Sequence, residues 1–390
     1  MTSGAEIKSA GKPQRLAQVA TPALVLDLPT LDRNISRMAD RCRALDVALR
    51  PHVKTPKSSP IAARLLAAGA KGFTVSTLQE AEYLAGAGYT DIFYAVPIDP
   101  HKVARAAKLS NAGVALSLLT DSLVAAQATA QTAREFGAIL TLWIEIDVDH
   151  YRTGIETSDP EFEAIARFIS TEPSLRFAGL MSYGGASYNC SDRQSTAALT
   201  EMHRKTLVET KQWLESKDID CPGLSFGSTP AVLHADHLSG VTEVRCGIYT
   251  FQDLFQAGIG ACEQSDIALS VLTTVIGANA DLNRVTIDAG GLALSKDRST
   301  QGRPFDAGFG LVCGEDGTIL PGLHVSTVSQ ELGLVTTIDG SPLEFDRFPI
   351  GRRLRILPNH ADMTAAAYED YWVVEDGDRI VNRWTRTNRW

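Results

Sequence analysis

Apolar and polar positions alternate along the chain in two textures. Residues 21–28 (TPALVLDL) form an apolar run that predicts a strand. Leu31, Ile35, Met38, Cys42 and Leu45 then recur every three or four residues, which places them on one helix face. From there to about residue 250, short apolar runs alternate with helical patterns. Strands are predicted near 49–53, 72–76, 91–95, 114–118, 140–146, 177–183, 223–227 and 243–248. Thr77-Leu78-Gln79-Glu80 has the form of a capping box opening the helix after the second of these. Strand–helix alternation argues a parallel sheet. Eight units fit a (β/α)8 barrel, a fold of about 250 residues. An open doubly wound sheet is the alternative, but its GxGxxG cue after the first strand is missing.

Beyond about residue 262 the runs shorten. Segments at 268–276, 284–287, 324–328, 334–338 and 354–357 are rich in Val, Ile, Leu and Thr, punctuated by Gly, Asp and Asn, an all-β pattern. The expected organisation is a polar, flexible tail over 1–20, a barrel over 30–260, and a C-terminal β domain formed by 261–390 with 21–29. No internal repeat is evident.

Composition narrows the function classes. With 44% hydrophobic and 21% charged residues, the 390-residue chain is globular rather than disordered. A net charge of −9 without a basic block argues against nucleic acid and anionic membranes as partners. No apolar run is long enough to cross a bilayer, and the polar opening segment is not expected to be a secretory signal. The six cysteines are scattered without a CxxC pair, which predicts neither a disulfide framework nor a zinc ribbon and suggests a reducing, cytoplasmic compartment.

Candidate chemistry falls at the C-terminal ends of the predicted strands, the catalytic face of such barrels. RPHVKTPK (50–57) places Lys54 at the end of the first barrel run. Flanking cations (Arg50, Lys57) favour the neutral, nucleophilic amine, which suits Schiff-base chemistry; the alternative is a solvated loop lysine. FGSTP (226–230) sets Gly227, Ser228 and Thr229 before a possible helix, where N–H groups and hydroxyls can hold a phosphate. Taken alone it is also an ordinary turn with a helix cap. VRCGIY (244–249) ends the eighth run, and barrel phosphate sites commonly follow strands seven and eight. In PNHADMT (358–364), His360 and Asp362 are two apart and share a face if the segment is extended. Such a pair suits Mn²⁺ or Mg²⁺ at least as well as Zn²⁺, and leaves positions open for water or substrate. A surface histidine beside a turn aspartate is the alternative.

In order, RPHVKT, HYRTG, SYGGASY, GSTP, VRCGIY and PNHADMT resemble the fold-type III pyridoxal 5'-phosphate enzymes related to alanine racemase. The resemblance covers about residues 21–384 and is greatest to the branch holding D-threonine aldolase and D-serine dehydratase. It implies that Lys54 carries the cofactor as a Schiff base. It further implies that Gly227, Ser228, Thr229, Gly247 and Ile248 bind the phosphate. Arg245 would face the pyridine nitrogen and keep it unprotonated. Arg152 would lie near the phenolic oxygen, and Tyr183 against the ring.

Dehydratases of the branch are expected to carry His-x-Cys with zinc, and aldolases His-x-Asp. His360 and Asp362 therefore favour a D-threonine aldolase, a carbon–carbon lyase that splits D-3-hydroxy amino acids into glycine and an aldehyde. Lys54, His360 and Asp362 would be its catalytic residues. A D-serine or D-3-hydroxyaspartate dehydratase, acting by β-elimination, is the alternative. A racemase would carry no metal pair. A barrel protein of cofactor homeostasis would lack the C-terminal β region. Two positions depart from the branch: Pro56 replaces the histidine of KTHK, and Leu332 replaces the histidine of an SEEHG-like segment. The branch resemblance also implies a homodimer.

Overall fold

In the computed structural model, which describes residues 14–150 and 152–390, the chain forms two sheets. Strand β1 (Ala23–Asp27) precedes eight short strands. These are β2 (Ala48–Leu49), β3 (Phe73–Val75), β4 (Asp91–Pro97), β5 (Ala115–Thr120), β6 (Leu140–Glu145), β7 (Leu175–Ser182), β8 (Gly223–Phe226) and β9 (Glu243–Val244). They pair in parallel in the order β2-β9-β8-β7-β6-β5-β4-β3. A parallel bridge between His52 and Thr74 closes the ring, with Val53 N–H donating to the Thr74 carbonyl at 2.8 Å. The expected (β/α)8 barrel forms, not an open sheet.

The local signals act as their chemistry requires. In the helix Leu28–Ala44, Leu31, Ile35, Met38 and Cys42 are buried, and the Asp27 carboxylate accepts the Thr30 N–H at 3.0 Å. Leu45 falls just past the helix end. Thr77 Oγ1 accepts the Glu80 N–H at 3.1 Å, as the capping box predicts. The return half is rewired. The Glu80 carboxylate takes the Ser76 N–H at 3.0 Å and pairs with Lys57 Nζ at 2.9 Å.

The second sheet has nine strands in the order β11-β14-β13-β12-β15-β10-β1-β16-β17, with β11 also pairing β10. Its later members are β10 (Leu269–Asn279), β11 (Arg284–Ile287), β12 (Leu311–Gly314), β13 (Ile319–Val328), β14 (Gly333–Thr337), β15 (Arg353–Leu357), β16 (Asp370–Glu375) and β17 (Arg379–Thr385). Periodicity did not single out β12, β16 or β17. Strand β1 lies antiparallel to β10 and parallel to β16. Its Leu24, Val25 and Leu26 are at most 1% exposed, and each such side chain contributes about 1.5–3 kcal/mol on burial.

Residues 14–20, expected within the flexible tail, instead pack on this sheet. Leu16 and Val19 are buried, and Arg15 pairs with Asp378 at 2.6 Å. Two apolar residues suffice to anchor a segment that reads as polar on average. The rest of that tail, residues 1–13, lies outside the described residues. No helix among the described residues is long and apolar enough to cross a membrane.

Candidate active site

A cavity of about 300 Å³ opens where the barrel strands end and two loops of the second sheet approach. Lys54, Tyr183, Gly227, Ser228, Thr229, Arg245, Gly247, Ile248, His360 and Asp362 all line it. A second cavity of about 220 Å³ shares Lys54, Tyr183, Gly227 and Arg245 and is also lined by Arg152. The Arg152 guanidinium stacks over Tyr183, 4.1 Å from the ring centroid. Every residue singled out from the sequence thus reaches one site. Tyr151, within HYRTG, lies outside the described residues.

The barrel half suits a phosphate. Ser228 caps the helix Thr229–His234, its Oγ accepting the Ala231 N–H at 3.4 Å and meeting Ser187 Oγ at 2.7 Å. Thr229 Oγ1 is buried and has no hydrogen-bond partner among the described residues. A side chain at Gly247 would stand 2.8 Å from the His52 carbonyl, so only glycine permits this approach of the two strand ends. A buried orphan hydroxyl and helix N–H groups are the donors a phosphate ester requires, and a buried cation stands beside them in the cavity.

That cation is Arg245. It donates from Nη1 to Ser225 Oγ and from Nη2 to the Ser182 carbonyl, both at 2.9 Å. Burial pulls its pKa down to about 10, opposed by the charges of Glu243 and Glu145.

Sequence reasoning missed His52, although it stands two residues before Lys54 and lines both cavities with it. Its Nδ1 accepts the Lys54 N–H at 3.4 Å and its Nε2 meets Ser76 Oγ at 3.3 Å. Burial, reinforced by Lys54 and Arg245, holds it neutral, well below the usual histidine range. The cations expected to crowd Lys54 do not. Arg50 pairs with Glu243 at 2.8 Å and Lys57 with Glu80 at 2.9 Å, so both charges are answered locally. Pro56 serves the loop through its carbonyl, which accepts the Tyr371 hydroxyl at 2.7 Å and ties the Lys54 loop to β16.

The second half gathers carboxylates. Here the expectation of an extended segment fails. Strand β15 stops at Leu357, His360 is the N-cap of the short helix Ala361–Ala365, and Asp362 is its second residue. Both still face the cavity because the helix start is pinned. Asp253 Oδ2 accepts the Ala361 N–H at 3.0 Å, and Asn359 Oδ1 accepts the Thr300 N–H at 3.2 Å.

Asp297 Oδ2 hydrogen-bonds His360 Nδ1 at 2.8 Å. That bond pulls the Asp297 pKa down to about 2. Burial disfavours the His360 charge, but Asp297, Asp362 and Asp253 outweigh it and lift its pKa to about 9. Burial pushes Asp253 up to about 6. Asp253 and Asp297 lie 107 and 63 residues before His360 in sequence, and no spacing rule flagged them.

The carboxylate–histidine contact leaves His360 Nε2 available, the second-sphere pattern of metal-bound histidines. Asp362 Oδ1 is buried and has no partner among the described residues. These two donors fit a hard divalent cation whose remaining positions are open. No group of three such side chains converges among the described residues. Lys54 Nζ lies 4.0 Å from Asp362 Oδ2, on the seam between the halves.

Residues 26–254 match the family model of the alanine racemase N-terminal domain, and residues 268–374 that of a putative serine dehydratase domain. The chain belongs to the alanine racemase-like, fold-type III pyridoxal-phosphate enzymes. Among this family's members, it is 45% identical to a D-threo-3-hydroxyaspartate dehydratase of Delftia sp., over 96% of this chain and 99% of that one. A solved structure of the Delftia enzyme superposes with a TM-score of 0.94 at 44% identity, covering 97% of this chain and 100% of that one. The chain is also 31% identical to a D-threonine aldolase of Arthrobacter sp., over 93% of this chain and 91% of that one. Solved structures of a D-threo-3-hydroxyaspartate dehydratase include a cysteine-to-alanine variant in a metal-free form and a histidine-to-alanine variant. The substituted residues lie two apart, as His360 and Asp362 do.

This overturns the aldolase reading. The full-length similarity at 45% identity is to a dehydratase, against 31% to the aldolase, and it favours the dehydratase alternative over carbon–carbon cleavage. The physical reason the pair misled is that a ligand's hardness selects the metal, not the bond. In either reaction the cation would sit on the same β-oxygen, as an acidifier in one and a leaving-group acceptor in the other. Nor does the pair single out manganese, since carboxylate and imidazole accommodate magnesium too.

Proposed function

We propose that the chain is a dehydratase of D-3-hydroxy amino acids, with D-threo-3-hydroxyaspartate as substrate and oxaloacetate and ammonia as products. The observation that carries this reading is the end-to-end similarity to the Delftia dehydratase, at 45% identity. In this reading the barrel over 30–260 holds the cofactor, and the sheet formed by 21–29 and 261–390 supplies the metal loop. Six unpaired cysteines suit a reducing, cytoplasmic setting, and the proposed assembly is a homodimer.

Lys54 would hold pyridoxal phosphate covalently, with Gly227, Ser228, Thr229, Gly247 and Ile248 around its phosphate. Arg245, Tyr183 and Arg152 would surround its ring. The bound cofactor supplies a sink for the electron pair released at the substrate Cα. His360 and Asp362 would hold the divalent cation, which supplies Lewis acidity to a departing β-hydroxyl oxygen.

The chain's own groups do the rest. Lys54 Nζ would be the base that takes the substrate's Cα proton. Asp362 keeps that amine near the metal corner. Asp297 fixes the His360 ring through Nδ1, so Nε2 would be the atom that holds the cation. His52, held neutral, adds no further positive charge beside Lys54. Net loss of water leaves an enamine, and its hydrolysis gives the keto acid and ammonia.

The test is product identification with D-threo-3-hydroxyaspartate and the holoenzyme. Oxaloacetate with ammonia is expected; glycine with glyoxylate, in place of them, would overturn the assignment.

A further inference from the structure

Below Lys54 one side of the barrel lumen holds buried ions, beside an apolar cluster of Phe93, Ala95, Leu119, Trp143 and Met181. Strand alternation puts Arg50 and His52 on one face of the segment that continues β2, and Glu243 and Arg245 on one face of its neighbour β9. Arg50 Nε donates to Glu243 Oε2 at 2.8 Å, and its Nη1 and Nη2 donate to Asp91 at 2.5 and 3.3 Å. A side chain at Gly72 would come within 2.6 Å of Arg50 Nη1, so glycine makes room for that guanidinium. The other oxygen of Glu243, Oε1, accepts from Ser225 Oγ at 2.8 Å. Ser225 Oγ in turn accepts from Arg245 Nη1 at 2.9 Å. The bonds run without a break from Asp91, where β4 begins, to Arg245 in the cofactor cavity.

Donor accounting fixes the direction of this chain. Arg245 has only donors and ionised Glu243 only acceptors, so the single Ser225 proton must point to Glu243. The hydroxyl can then serve Arg245 only as an acceptor. Arg245 is 5% exposed and forms no direct ion pair among the described residues. A buried cation without a counter-charge is strongly unfavourable. Glu145, the other acid nearby, makes no hydrogen bond to Arg245 among the described residues, and burial raises its pKa. That leaves Glu243, 3% exposed and reached through one hydroxyl, as the compensating charge.

We infer that Glu243, acting through the Ser225 hydroxyl, is the positioning residue that orients the Arg245 guanidinium and balances its charge in the cofactor cavity. Arg50 and Asp91 hold Glu243 in register. The inference rests on the reading of this cavity as the pyridoxal-phosphate site. Arg245 lines both cavities around Lys54, so its orientation sets the field that a bound ring would feel.

The test uses holoenzyme carrying Ser225→Ala, Ser225→Thr or Glu243→Gln. Ser225→Ala removes the link and leaves every charge in place. It should shift the visible absorbance of the bound cofactor. It should also lower kcat about ten- to a hundred-fold, the range for losing one hydrogen bond to a charged group, with little change in KM. Ser225→Thr, which keeps the hydroxyl, should restore both. Glu243→Gln should give the same shift with weaker cofactor retention on dialysis. A purely structural role would lower the unfolding temperature and leave absorbance and kcat as in the wild type, and that result overturns the inference. If Glu243→Gln does not fold, Ser225→Ala decides. Wild-type protein supplied with cofactor and showing no Schiff-base band would sink the cofactor reading and this inference together. A normal wild-type band unchanged in Ser225→Ala would sink this inference alone.

Discussion

The barrel side of the cavity gathers cations, while the opposite side gathers acids. Around Lys54 on the barrel stand Arg245, Arg152 and a histidine held neutral, with an orphan hydroxyl at Thr229. Facing them are Asp253, Asp297 and Asp362, which lift His360 to a pKa of about 9. One side is suited to an anion and the other to a cation. Lys54, 4.0 Å from Asp362, belongs to both. The contrast teaches that two opposed ligands can share one small cavity when each has its own counter-charges and one amine stands at the seam.

The strongest way to break this division is at the seam. Lys54→Ala should abolish the visible Schiff-base absorbance and reduce turnover to background. Titration with Mn²⁺ should still show the metal corner binding its cation. Loss of both would mean that the halves are not independent.

Removing the cation should cost at least about a hundred-fold in elimination rate, because Lewis acidity supplies several kcal/mol. Asp362→Ala, or chelation followed by Mn²⁺ rescue, should show this while cofactor absorbance persists. Turnover indifferent to chelator would remove the metal from the reaction. Asp297→Asn is a finer probe. It should weaken Mn²⁺ affinity about 10–100-fold through loss of the second-sphere bond, with cofactor affinity unchanged.

The smallest effect concerns stability. Burial lowers the pKa values of His52 and His203 below the free-histidine value. The unfolded chain therefore binds more protons below about pH 6.5, and folding stability should fall as pH drops through that value. His203→Leu, away from the reacting groups, should flatten the slope of unfolding temperature between about pH 6.5 and 5. An unchanged slope would show that this histidine charges without cost.

The two halves also differ in how legible they were. Each barrel residue sits at or near a strand end, and an i, i+2 rule orders Arg50 with His52 and Glu243 with Arg245. Strand-end placement pointed to Lys54 and the Gly227–Thr229 turn from sequence alone, and the family resemblance pointed to Arg245. The same rule could have found His52. The metal corner is assembled across the chain: Asp253 caps the helix Leu254–Gly258, Asp297 comes from a loop, and His360 caps another helix. No local period links them, so only the motif PNHADMT was visible. The reaction was the least legible part. An Asp at position 362 carries information about which metal is preferred and none about which bond breaks.

Strand β1 bears on the order in which the molecule can be completed. Its backbone is claimed on one side by residues 269–272 and on the other by residues 372–374. The first strand to leave the ribosome must therefore wait, with three fully buried side chains still unpaired, until almost the whole chain has followed. The barrel is in effect an insertion within a sheet whose parts lie at either end of the chain. Non-local pairing of this kind slows folding. A circular permutant that carries β1 after β17, with new termini ahead of the helix Leu28–Ala44, would shorten that wait and should refold faster than the natural order.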